Sequence, residues 1–122
     1  MSAFESLSAL DLQRIWENVH GRTVHGERIT LSVIELDANS AVPEHSHEQE
    51  QLGICLAGSL VFRVGDESRE LVPGDTWSIP RNVPHEVQVG PGGAVVLDVF
   101  APTRDDWRDA PQVAARAPRW PG

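Results

Sequence analysis

Glu44-His45-Ser46-His47-Glu48-Gln49-Glu50-Gln51-Leu52-Gly53 is the stretch of sequence that decides the fold of this chain. A second short segment with a histidine, Pro84-His85, follows later in the sequence. Three of the five histidines lie in these two places. If the first stretch is extended, the side chains of His45 and His47 project from the same face, because side chains alternate along a strand. Gln51 can share that face, whereas the fold must bring His85 to it. Imidazoles and a side-chain carbonyl that converge on one point are typical of a divalent metal site.

A solvated loop is the alternative interpretation of two histidines among glutamates. The surrounding sequence favours the metal site, because short segments with alternating apolar residues precede and follow the histidine pair and are separated by Gly and Pro turns. Strands at this spacing predict an all-β antiparallel sandwich or small barrel. The predicted strands are residues 15–19, 22–25, 29–36, 52–56, 59–64, 68–72, 76–79, 85–89 and 94–100, with turns at 57–58 and 90–93 among others.

The length and composition indicate one ordinary globular domain. A chain of 122 residues can bury one core, and we expect an N-terminal extension at 1–14, a barrel at 15–108 and a Pro-rich tail at 109–122. The net charge of −8 argues against nucleic acid and anionic membranes as partners. No apolar run approaches the ~18 residues of a membrane span, and no leader pattern begins the chain, so we expect a cytoplasmic protein.

The residue types that are missing restrict the chemistry. All ten basic residues are arginine and tyrosine is absent, which excludes a Schiff base and a lysine or tyrosine general base. Any acid or base is therefore a histidine, a carboxyl group, Cys55 or a metal-bound water. The single cysteine excludes an intramolecular disulfide and fits a reducing compartment. We expect Cys55 to be a small inward packing residue.

The order of motifs resembles the two-motif signature of the cupin superfamily. His-Ser-His, Gln51 and Gly58 come first, and Pro73-Gly74-Asp75, Ile79-Pro80 and Pro84-His85 follow. The resemblance implies a double-stranded β-helix (jelly-roll) barrel that holds a metal on three histidines and, in most cupins, a glutamate. The corresponding position here is Gln51. The implied metal ligands are thus His45, His47, Gln51 and His85, with Zn, Ni, Fe or Mn as the cofactor.

Within the cupins, the segment Glu50-Gln51-Leu52-Gly53 and the C-terminal run Asp98-Val99-Phe100-Ala101-Pro102-Thr103-Arg104 are most similar to the KdgF family of pectin and alginate degradation. That family opens the ring of 4,5-unsaturated uronates, so the resemblance implies a metal-dependent isomerase or lyase type of enzyme. It places the catalytic Asp, Phe and Arg on Asp98, Phe100 and Arg104.

Asp98 is the acid to which the residue pattern itself also points. It alternates with Val96 and Phe100 on one face of its predicted strand, so an inward orientation would desolvate the carboxyl and raise its pKa. The alternative is an outward carboxylate or a structural ion pair. A shell of three histidines and one amide is neutral, which leaves the metal its full charge as a Lewis acid.

Two other classes of function stay open at this level. One is a different metal-dependent cupin enzyme, namely a dioxygenase, a polyketide-type cyclase or a lyase. The other is a non-catalytic protein that binds a metal or a small ligand. In each case the partner is a small molecule, and because cupin barrels usually pair, we expect a homodimer.

Overall fold

The computed structural model of the protein describes residues 2–122, and its regular structure is antiparallel β-strands apart from two short 3₁₀ turns, which confirms the predicted all-β class. The strands are β1 Gln13–Trp16, β2 Val19–His25, β3 Thr30–Leu36, β4 Ala41–His45, β5 Glu50–Val64, β6 Glu67–Leu71, β7 Thr76–Ile79 and β8 His85–Ala101, and 3₁₀ turns cover Leu7–Ala9 and Asp105–Trp107. Hydrogen-bonded neighbours follow the order β1-β2-β3-β8-β5-β6, with β4 also paired to β8 and β7 also paired to β5.

The two longest strands, β5 and β8, pair with each other along nearly their whole lengths and organise the barrel. The first half of β5 lies between β7 and the second half of β8, which continues into β3, β2 and β1. The second half of β5 lies between β6 and the first half of β8, which continues into β4. Each long strand thus passes from one sheet to the other, as in a jelly roll.

The predicted turns at 57–58 and 90–93 are wrong, because both segments are bends within continuous strands. The pairing of β5 with β8 shifts register between Cys55 and Ala57 and again between Gly58 and Leu60. Gly58 has φ of +77°, and a Cβ there would overlap the carbonyl oxygen of Gly93. Glycine at the crossing lets the two backbones approach and bend together. A turn and a bulged bend require the same residue types, so sequence alone does not separate them.

The core lies between the two sheets. Ile79 and Cys55 are fully buried and Leu60 and Phe100 nearly so, and each belongs to one apolar cluster. The prediction that Cys55 packs inward is confirmed. Because strand side chains alternate, every second residue of β5 and β8 points to this interior, where the functional residues also lie.

The C-terminal tail is fastened to the barrel by hydrogen bonds and charge. Two backbone hydrogen bonds join the tail to the region of β1: Arg14 N–H donates to Pro111 O (2.8 Å), and Val113 N–H donates to Leu12 O (2.9 Å). On the outer face of β3, the carboxylate of Glu35 is 1% exposed and accepts from Arg22, from the Arg119 backbone N–H and from the Arg116 guanidinium. The division into extension, barrel and tail stays a prediction. Among the helices of residues 2–122, none has the length and apolar character needed to cross a membrane.

Candidate metal centre

Three imidazoles meet at one end of the barrel interior. His45 ends β4 and His85 begins β8, and the two residues face each other across these paired strands. His47 lies in the connection between β4 and β5, so the two histidines of the pair do not share one strand as expected. The connection nevertheless returns His47 to the same point. One ring nitrogen of each histidine lies within 4.8 Å of the others.

Backbone carbonyls set the tautomer of each ring. Nδ1 of His45 donates to Pro43 O (2.8 Å), Nδ1 of His47 to Gln49 O (2.9 Å) and Nδ1 of His85 to Val83 O (2.9 Å). A carbonyl oxygen only accepts, so in each neutral ring the proton is on Nδ1 and the lone pair is on Nε2. Hydrogen bonds of this kind fix the tautomer and the ring orientation of metal-binding histidines.

The neutral form of the three rings is also favoured by their surroundings. Burial lowers the pKa of His45 and His47, and the nearby positive charge of Arg104 acts in the same direction. Burial lowers the pKa of His85 to about 4. All three imidazoles are therefore unprotonated at neutral pH and available as ligands.

The donor set fits a cation. Nε2 of His85 is buried and has no hydrogen-bond partner among residues 2–122. Nε2 of His47 lies 3.1 Å from Oε1 of Gln51, so two acceptors face each other. Donor atoms that each bind one such metal ion at about 2.1 Å can lie this close to each other. A divalent metal would satisfy the orphaned nitrogen and remove the repulsion between the acceptors.

Asp98 determines which way the amide of Gln51 points. The side chain of Asp98 is inside the barrel and 4% exposed. Its Oδ1 accepts from Nε2 of Gln51 (3.0 Å) and from Nε1 of Trp77 (2.8 Å). Since an ionised carboxylate only accepts, the amide NH₂ must face Asp98, and the amide oxygen then faces His47. Asp98 forms no ion pair within the described part of the chain, in contrast to the structural alternative considered above.

Burial makes Asp98 an unusual acid. Loss of hydration raises its pKa to about 6, although the hydrogen bonds from Gln51 and Trp77 act against this shift. The second oxygen, Oδ2, accepts no hydrogen bond from residues 2–122, and Asp98 is one of the residues that line the interior cavity. The group can therefore gain and lose a proton near neutral pH beside the imidazole cluster.

Sequence reasoning missed two residues that hold Asp98 in place. Trp77 is buried like a core residue, but its indole N–H also binds the carboxylate. A buried Trp N–H requires an acceptor, and that requirement was the signal. Gly53 lies between Trp77 and Asp98 across the sheet, and a Cβ there would overlap both the indole nitrogen and Oδ1. Only glycine leaves room for this hydrogen bond.

Phe100 and Arg104 line the same cavity as Asp98, His45 and His85. Phe100 is 2% exposed, and its ring meets that of His47 edge to face at 5.8 Å. The guanidinium of Arg104 stacks on Trp107, 4.2 Å from the ring centroid, and donates from Nε and Nη2 to Asp106. These two hydrogen bonds fix the guanidinium next to the cavity and leave its other N–H groups free for a ligand.

The cavity that these residues enclose has a volume of about 60 Å³. Apolar side chains make most of its wall, and the polar groups gather at the end that holds His45, Gln51, His85 and Asp98. A small apolar chamber with a few convergent polar groups is the usual form of a small-molecule site. Of the residues predicted from sequence, the structure brings all seven to this chamber or its rim.

Comparisons with known proteins agree with this architecture. The profile of the cupin domain matches residues 32–100, and no curated protein sequence matches the chain. An RmlC-like cupin from Shewanella frigidimarina NCIMB 400 has 20% identity and a TM-score of 0.81 over 88% of this chain and 96% of its own. KdgF from Halomonas sp. has 24% identity and a TM-score of 0.79 over 87% of this chain and 98% of its own.

The polyketide cyclase RemF from Streptomyces resistomycificus has 26% identity and a TM-score of 0.73 over 84% of this chain and 80% of its own. The predicted resemblance to cupins, and to KdgF among them, is confirmed at the level of fold. Since the cupin profile covers more than half of the 122 residues and the same barrel recurs in these structures, the chain belongs to the cupin family.

Proposed function

We propose that the protein is a metal-dependent enzyme that opens the ring of 4,5-unsaturated uronates. One observation carries this proposal. The carboxyl group of Asp98 is buried in the chamber and hydrogen bonded to Gln51, the amide that completes the imidazole cluster. Proton transfer beside a Lewis acid is what an isomerisation of this kind needs.

His45, His47, Gln51 and His85 would hold the divalent metal, as Zn, Ni, Fe or Mn. When bound, the metal supplies positive charge that stabilises the substrate carboxylate and the oxygen that becomes negative. The role of the protein around the metal is to orient the ligands and to exclude water. The Nδ1 hydrogen bonds to Pro43, Gln49 and Val83 keep the rings aimed at the centre.

The protein side chains account for the proton movements. As the bond between C1 and the ring oxygen breaks, the C1 hydroxyl gives its proton to Asp98 and C1 becomes a carbonyl. The electron pair of the broken bond remains on the former ring oxygen, which is now the negative oxygen of an enolate at C5. Asp98 then returns the proton to C4, and the product is a 4-deoxy-5-keto uronate. Atoms and electrons balance without a further reactant.

Arg104 and Phe100 serve binding in this scheme. The free N–H groups of Arg104 would donate to the substrate carboxylate. Phe100, which is nearly fully buried against His47, would keep water from the reacting carbons. The similarity to KdgF from Halomonas sp. supports the same assignment.

The test uses purified protein of known metal content and unsaturated galacturonate and mannuronate as substrates. We expect loss of the ultraviolet absorbance of the conjugated double bond with both metal-loaded wild type and the exposed control Asp66→Asn. Asp98→Asn should retain the metal and lose the reaction, and Gln51→Ala should lose both. If neither sugar reacts faster with wild type than with Gln51→Ala, the uronate proposal is wrong while the metal site can stand.

A polyketide-type cyclisation is the second candidate. The mostly apolar wall of the chamber favours a less polar substrate, and RemF is among the similar structures. Cyclisation of a polyketide-like chain by the metal-loaded protein, without activity on either uronate, would decide in its favour.

A homodimer and a cytoplasmic location remain predictions, and sedimentation at micromolar concentration tests the first.

A further inference from the structure

The interior chamber is smaller than the ligand that the proposed function requires. Its volume is about 60 Å³, whereas an apolar cavity of about 150 Å³ is known to take up one benzene ring. A six-membered sugar acid carries a carboxylate and several hydroxyls in addition to its ring. Such a ligand therefore enters the chamber with one end only, and the rest of it has to project through the mouth.

A second, more open groove of about 370 Å³ lies beside the chamber. Ile15, Trp16, Arg104 and Trp107 line both spaces, so the groove adjoins the chamber. The groove is bordered on one side by β1 and on the other by the segment that follows the barrel. The side-chain amide of Gln13 joins the two sides by donating to Trp107 O (3.3 Å) and Ala110 O (3.1 Å).

Trp16 is the most suitable binding surface in this groove. Its indole is 37% exposed, although it is a large apolar group, and its ring centroid lies 5.1 Å from that of His45. An exposed tryptophan at the entrance of a polar chamber is the type of group that stacks on a ligand and anchors it. Arg14, which also lines the groove, makes no ion pair with any residue in the range 2–122 and can donate to hydroxyl or carboxylate oxygens.

We infer that Trp16 and Arg14 form an outer subsite that holds the side of the sugar ring with C2 and C3, which takes no part in the proposed bond changes, while C1, C4 and C5 face the chamber. This inference rests on the proposed function for the direction of the ligand, but it concerns binding alone. The ligand class is a six-membered sugar acid that stacks one face of its ring on the Trp16 indole. Trp16 also lines the chamber, but a two-carbon hydroxy acid has no ring to stack on the indole.

Calorimetry on the metal-loaded protein separates binding at the outer subsite from binding in the chamber. It uses two probes, galacturonate and glycolate. In Trp16→Ala we expect the dissociation constant for galacturonate to rise about tenfold, because an anchoring aromatic surface is lost. Trp16→Phe should retain most of the affinity, since a smaller aromatic face remains. Glycolate affinity should be the same in all variants, and Trp120→Ala, a tryptophan that lines neither space, is the matched control.

Equal galacturonate affinity in wild type and Trp16→Ala would overturn the inference, as would the absence of galacturonate binding to wild type. An equal loss of affinity for both probes would also overturn it, because Trp16 would then act through His45 and not on the ligand. The measurement needs no turnover. If galacturonate binds with the expected dependence on Trp16 but unsaturated uronates do not react, the subsite stands and the proposed reaction fails.

Discussion

Replacing Asp98 with asparagine is expected to stabilise the metal-free protein and abolish the proposed reaction. Burial raises the pKa of Asp98 from 3.8 to about 6. An acid whose pKa is raised by folding contributes most to stability below its unfolded pKa, and that contribution is lost as the pH rises through the folded pKa. Above pH 6, therefore, the folded protein holds an ionised carboxylate that would be better hydrated in the unfolded chain.

The magnitude follows from the difference between the folded and unfolded pKa values. Ionisation of Asp98 therefore lowers the free energy of unfolding by ~3 kcal/mol at pH 8. At pH 5, where the folded-state carboxyl is still mostly protonated, the same titration lowers it by about 1.5 kcal/mol. The substituted asparagine would keep an amide oxygen to accept from Gln51 and Trp77, so the change removes the charge and not the hydrogen bonds. We expect Asp98→Asn to be more stable than wild type, with a difference that grows from about 1.5 to about 3 kcal/mol between pH 5 and pH 8.

The assay is urea unfolding with a metal chelator present, followed by circular dichroism at several pH values in this range. The histidine cluster is common to both proteins, so its own pH dependence largely cancels in the difference. Asp66→Asn, a change at an exposed carboxylate, is the matched control and should show no such trend. A difference that is constant with pH, or that shrinks as the pH rises, would refute the account of Asp98 as a desolvated acid.

Three further changes test other parts of the structure. Glu35→Gln leaves the 2% exposed guanidinium of Arg22 without its counter-charge, and we expect a loss of about 3–5 kcal/mol in urea unfolding and faster trypsin cleavage of the C-terminal tail. Unchanged proteolysis would show that Glu35 does not hold the tail. Gly53→Ala introduces a Cβ that overlaps Oδ1 of Asp98, so thermal unfolding should show destabilisation of about 1–3 kcal/mol. A variant as stable as wild type would contradict this packing. His85→Ala should lower the metal content measured by mass spectrometry without changing the β-sheet circular dichroism signal, and full metal retention would argue against His85 as a ligand.

Much of the barrel was predictable because antiparallel strands carry a local signal. Alternation of apolar residues and Gly or Pro turns marked β3, β6 and β7 nearly to the residue. The bends at Gly58 and at residues 90–93 were predicted as turns, because bulges and turns use the same small residues. Only the crossing of β5 with β8 distinguishes them, and that crossing joins residues far apart in the sequence.

The candidate site divides in a similar way. His45, His47, Gln51 and His85 were identified from their chemistry and order. Trp77 and Gly53 were not, since a tryptophan and a glycine in a strand have many structural uses and neither carries a ligand atom. Their role depends on meeting Asp98 from neighbouring strands, which is a property of the register.

By itself, the sequence determined the residue types available for chemistry and the all-β class, because composition and short-range periodicity are local properties. The order of its motifs carried the resemblance to the cupins. Only the tertiary structure decided the pKa of Asp98, the orientation of the Gln51 amide and the size of the chamber. Each of these depends on which groups surround a side chain and how much water they exclude, and contacts between distant segments set both.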